Sequence, residues 1–111
     1  MSKELKNFLL TCPLALLSLV IPLVFKNQSE TAVALLIITA IVMLLINRSW
    51  KECLLYIIVM ISGPIAESIA IHFGAWTYAE PIIIGVPLWL PFAWGNASIY
   101  IIRLRDLIYS L

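Results

Sequence analysis

One carboxylate in this chain of 111 residues stands where a carboxylate is costly: Glu67, inside the apolar stretch "YIIVMISGPIAESIAIHFGAW". An ionisable side chain within a membrane span costs on the order of a few kcal/mol unless it faces the bundle interior, stays protonated or finds a partner. After it come His72 and Tyr78, which can pass a proton, and Trp89 and Trp94, whose ring faces can stabilise a cation. A neutral acid held in apolar surroundings can protonate a carbon–carbon double bond, and aromatic walls then stabilise the carbocation. The competing explanation is that Glu67 hydrogen-bonds a neighbouring hydroxyl or indole and only fixes helix packing. Trp76 and Tyr78 also have an ordinary role as anchors at the membrane interface, and His72 as an interfacial polar residue.

Helical spacing adds a frame to these residues, because positions seven or eleven apart return to nearly the same face. Tyr56, Gly63, Glu67 and Gly74 share one side, and Ala66, Ala70 and Gly74 form a small-residue stripe beside it that would let another helix approach closely. A single His and two distant cysteines, Cys12 and Cys53, lack the ligand spacing of a zinc or iron centre, so no metal and no cofactor are expected. Both cysteines are expected to be free thiols.

The elements that must position these groups follow from composition. The chain is 63% hydrophobic and 12% charged, with a mean hydropathy of +1.07, which is too apolar for a small soluble domain. Its net charge of +1 and its scattered Lys and Arg form no basic stripe, so no nucleic-acid partner is expected. Apolar runs over 8–25, 31–46, 53–73 and 82–102 each approach the roughly 17–25 residues of a spanning helix. The expectation is an all-α integral membrane bundle of four transmembrane helices, a single domain over 1–111. The first run follows Lys3 and Lys6 but has no small-x-small cleavage site, so it reads as a retained helix.

Lys3, Lys6, Arg48, Lys51, Arg103 and Arg105 fall on one side of such a bundle and Lys26 on the other. Because short loops rich in Lys and Arg stay inside, both termini are expected in the cytoplasm of a multi-pass protein of a bacterial inner (plasma) membrane. In the fourth run Pro87 and Pro91 remove backbone donors, which predicts a kinked or unwound outer half. Counting inward from Ile82 places Trp89 at the depth of Glu67 and Trp94 and Asn96 deeper. These depths predict a pocket with its mouth at residues 74–81 and Glu67 on its wall. Its expected catalytic groups are Glu67, His72 and Tyr78, and Tyr56, Trp76, Trp89, Trp94 and Asn96 are expected to hold the substrate.

The order of Glu67, then "FGAWTY", a short acidic and proline-containing turn, and "IIGVPLWLPFAW" resembles the membrane-embedded carotenoid cyclase and C50 carotenoid hydratase superfamily. Those families share a glutamate ahead of a Gly-x-Trp/Tyr-x-Tyr stretch and a "GVP" leading to "P-x-A-W". The resemblance spans about residues 63–96, less than a third of the chain. It implies a cofactor-independent acid acting on a carotenoid or polyprenoid by cyclisation or hydration. The hydratases are longer than this chain. Heterodimeric cyclases are near its size but carry paired carboxylates where Leu88-Trp89-Leu90 stands here, so only Glu67 carries over, as the acid. The alternative from a different class is a non-enzymatic four-helix membrane subunit, or a small carrier binding a lipid or cation at Glu67. Either alternative expects a membrane lipid or polyprenoid as ligand and a homo-oligomer or a partner membrane subunit.

Overall fold

The computed structural model describes residues 1–111 and contains four α-helices: α1 (Lys3–Val24), α2 (Ser29–Asn47), α3 (Trp50–His72) and α4 (Leu90–Ser110). Ser2 caps α1 by accepting the Leu5 N–H at 3.1 Å, and Glu4 in the first turn suits the positive end of the helix dipole. Arg48, with φ of 44°, caps the end of α2 in the left-handed region, and only Arg48 and Ser49 separate α2 from α3. Connections this short force neighbouring helices to run antiparallel. The result is an all-α bundle, and α1, α2 and α3 are each long and apolar enough to cross a membrane.

Only 21 of the 111 residues are buried, while large apolar side chains such as Leu16, Leu19, Leu23, Ile38 and Ile61 are more than half exposed. A surface of that kind is stable in lipid and not in water, which makes this a membrane protein. The most polar helix, α4, packs against each of the other three and buries Asn96, Ser98 and Arg103 among them. Its polarity and its central place are one fact: the other helices shield it from lipid, so its own composition need not be that of a lipid-facing span.

The fourth helix differs from the expected 82–102. Residues 82–89 are not helical, and α4 starts at Leu90 and runs on to Ser110. Ile82 to Val86 close a tight turn in which the Val86 N–H donates to Ile83 O at 2.9 Å and the Ile82 N–H to Val86 O at 2.9 Å. Gly85 takes a φ of 84°, a conformation glycine adopts without strain. Pro91 then lies in the first helical turn, where its missing N–H removes no helix hydrogen bond, and Pro87 lies outside the helix. Placing both prolines at a start leaves the ladder intact, whereas a helix from residue 82 would contain two breaks.

Candidate functional site

The polar side chains inside the bundle form three layers, all resting on α4. Nearest the end that holds both termini, Arg103 is 2% exposed and reaches every other helix. Its Nη2 donates to Glu52 Oε1 on α3 at 3.1 Å and to Met43 O on α2 at 2.5 Å, and its Nη1 donates to Thr11 Oγ1 on α1 at 2.7 Å. Glu52, 5% exposed, completes a buried ion pair in the first turn of α3. Seven residues earlier on α4, Asn96 is fully buried and repeats the pattern. It accepts from the Tyr56 hydroxyl of α3 at 2.8 Å and donates to Ser18 Oγ of α1 at 3.0 Å and Leu36 O of α2 at 3.2 Å. Thr11 and Ser18, and Leu36 and Met43, are likewise seven apart, two turns along their own helices.

The third layer contains Glu67. One carboxylate oxygen accepts from the Tyr78 hydroxyl and the other from the Trp94 indole N–H. Tyr78 belongs to the segment 73–89, which two more contacts tie down on α3: Ser68 Oγ donates to Ile84 O at 2.7 Å, and Gly85 lies against Ile71. Trp89 packs edge-on against Tyr78, with ring centroids 6.0 Å apart. Burial holds the Tyr78 phenol above the ordinary tyrosine range, and the hydrogen bond and negative charge of Glu67 push the same way.

Two glycines make the α3–α4 seam possible. A Cβ on Gly63 would lie 2.3 Å from the Trp94 ring, and one on Gly95 would lie 2.4 Å from the Tyr56 ring. Each helix thus gives the other a notch and an aromatic knob. Tyr56, Gly63 and Glu67 do face one partner, as their spacing requires, but Gly74, expected on the same side, lies beyond the end of α3 and is exposed. Ala66 and Gly74 are exposed, so the small-residue stripe is left outside this seam.

The expected pocket is corrected by this geometry. Glu67 lies outside the apolar grooves lined by Pro64 and by Trp94, and each of its oxygens accepts a hydrogen bond within the chain. Trp94, rather than Trp89, meets Glu67, because the later start of α4 raises Trp94 to that level. Tyr56 and Asn96 are bonded to each other in the core, not arranged around an opening. His72 is exposed with its ring edge on Phe73 and no bond to Glu67, and Trp76 is 46% exposed. Trp94 does border an apolar groove of about 350 Å³ with Val59, Ala97 and Ile101.

Sequence reasoning missed Glu52 as a buried group, and it treated Arg103 only as a marker of membrane orientation. A signal was present: Glu52 lies one turn before Tyr56 on the face that carries Gly63, and Arg103 lies two turns after Asn96. Comparison with protein-family models, characterised proteins and solved structures finds no match to this chain.

Proposed function

We propose that the protein is a non-enzymatic integral membrane subunit, a compact helical adaptor that associates in the bilayer with its own copies or with another membrane chain. The observation that supports this reading is the internal satisfaction of its polar groups. Glu52, Glu67 and Asn96 make their hydrogen bonds to other helices or to the 73–89 segment of the same chain, and so do four of the five Arg103 N–H groups. A catalytic acid or a carrier's ion site points its carboxyl group at a ligand, whereas Glu67 directs one oxygen at Tyr78 and the other at Trp94 of its own chain. The exposed Ala66 and the half-buried Ala70 on α3 suit a close helix–helix contact in lipid. The proposed seat is a bacterial inner membrane with both termini cytoplasmic. With Arg103 set aside as half of a buried pair, Lys and Arg still favour that end by five to one.

Trp94 favours a second reading, the acid-catalysed conversion of a polyprenoid or carotenoid. Its N–H holds Glu67 while its ring forms part of the wall of an apolar groove. If the Tyr78 segment lifts, Glu67 gains a free oxygen beside an aromatic face. In that scheme Glu67 protonates a double bond, water or a second double bond captures the cation, and the released proton returns to Glu67.

One paired experiment separates the two. Wild type and Glu67→Gln are compared in detergent for thermal stability, for mass in units of the 12.5 kDa chain, and for conversion of supplied polyprenoids and carotenoids. The subunit reading expects no conversion by either protein, a lower Tm in the variant and an oligomer in the wild type. Conversion by the wild type that vanishes in an equally stable variant would overturn it in favour of the acid.

A further inference from the structure

The cavity at the end of the bundle that gathers both termini is polar, unlike the apolar grooves that border α1, α3 and α4. It measures about 320 Å³, only one of its lining residues is hydrophobic, and Arg103 forms part of its wall. Arg103 has five N–H donors. Four are spent on Glu52, Met43 O and Thr11, and the second N–H of Nη1 has no protein partner. The rest of the lining pairs charges of opposite sign: Lys3 and Glu4 from the start of α1, Arg105 and Asp106 from the end of α4. Asn7 of α1, which donates to Asn47 Oδ1 at the end of α2 at 3.2 Å, completes the polar lining.

This composition selects a ligand. With the Arg103 charge matched by Glu52, the lining carries two cations and two carboxylates, so it offers no net attraction to an anionic headgroup. A zwitterion fits better, since a phosphate can meet Lys3, Arg105 and the spare Arg103 donor while an ammonium meets Glu4 and Asp106. The Arg105–Asp106 pair, 3.4 Å apart and 57% and 38% exposed, is the kind of exposed pair that contributes little and can rearrange around a ligand. Charged side chains at a bundle end lie at the level where phospholipid headgroups meet the membrane surface.

We propose that this cavity is a binding site for the phosphoethanolamine headgroup of a membrane phospholipid. An ethanolamine ammonium donates hydrogen bonds to carboxylates, whereas a choline cannot, so the site discriminates between the two zwitterions. The proposal concerns the opposite end of the bundle from Glu67 and holds whichever function Glu67 serves.

The test is native mass spectrometry of the full chain released from nanodiscs that contain phosphatidylethanolamine, phosphatidylcholine and phosphatidylglycerol in equal amounts. Phosphatidylethanolamine should be retained over both others. Lys3→Gln with Arg105→Gln, and separately Glu4→Gln with Asp106→Asn, should each weaken its retention by about fivefold or more. Helicity and Tm, measured alongside, should stay close to wild-type values, because none of the four side chains is buried and the contribution of Glu4 to the α1 dipole is small. Soluble phosphoethanolamine should compete only weakly if the acyl chains contribute, and displacement at equal concentration would assign the site to the free headgroup compound and overturn the lipid assignment. Equal retention of the choline lipid, preference for the glycerol lipid, or unchanged retention in both double variants with their helicity intact would overturn the proposal.

Discussion

The Trp94 indole occupies the notch left by Gly63: a Cβ on that glycine would lie 2.3 Å from ring atom Cδ2. The same indole donates its N–H to Glu67, so the notch sets the depth at which the acid is held. Gly63→Ala must push α4 away or rotate the ring. Such overpacking costs about 1–3 kcal/mol. The expected outcome is a clear fall in Tm, and Gly63→Ala should cost less in a Trp94→Leu background, where the smaller side chain leaves room and the indole bond to Glu67 is already lost. Thermal denaturation of the single and double variants in detergent checks it, and Gly63→Ala as stable as wild type would refute the notch.

Removing one member of the Glu52–Arg103 pair leaves an uncompensated buried charge, which costs about 3–5 kcal/mol. Glu52→Met and Arg103→Met should each lower stability by that order, and the double variant should be less damaged than the sum of the two. A double-mutant cycle on unfolding free energies measures the coupling. Arg103→Lys should not rescue, since a single ammonium cannot reach Glu52, Thr11 and Met43 O in one plane.

Asn96→Leu removes the amide that binds Tyr56, Ser18 and Leu36 O. The Tyr56 hydroxyl keeps Phe92 O, at 3.3 Å, and Ser18 keeps Leu14 O, at 2.9 Å, so the loss falls mainly on the α2 carbonyl. A cost of about 1–3 kcal/mol is expected. Hydrogen exchange should show α2 loosening before α1 and α3.

The raised Tyr78 phenol makes stability depend on alkaline pH. The folded state holds the proton more tightly than the unfolded chain, whose tyrosine releases it near about pH 10. The contribution is therefore fully present below about pH 10 and is lost as pH rises from there through the folded-state value. Between pH of about 10 and 12 the wild type should lose Tm faster than Tyr78→Phe, which has no phenol to titrate. Parallel slopes for the two proteins would mean that the Tyr78–Glu67 bond is not maintained in solution.

The sequence by itself determined the all-α class, the extents of the first three helices to within a few residues, and the shared face of Tyr56, Gly63 and Glu67. Those features follow from local rules: apolar run length against membrane thickness, and the angular repeat of one helix. The alternative that Glu67 bonds a neighbouring hydroxyl or indole was likewise legible, from the cost of leaving a carboxylate unpaired in lipid. Only the tertiary structure decided where α4 begins, since two prolines are equally compatible with a kinked helix and with a helix start. It alone paired Glu52 with Arg103, 51 positions away, and Asn96 with Ser18, 78 positions away. Such pairs depend on the rotation and axial offset of one helix against another, which the summed packing of every seam sets and no single segment encodes.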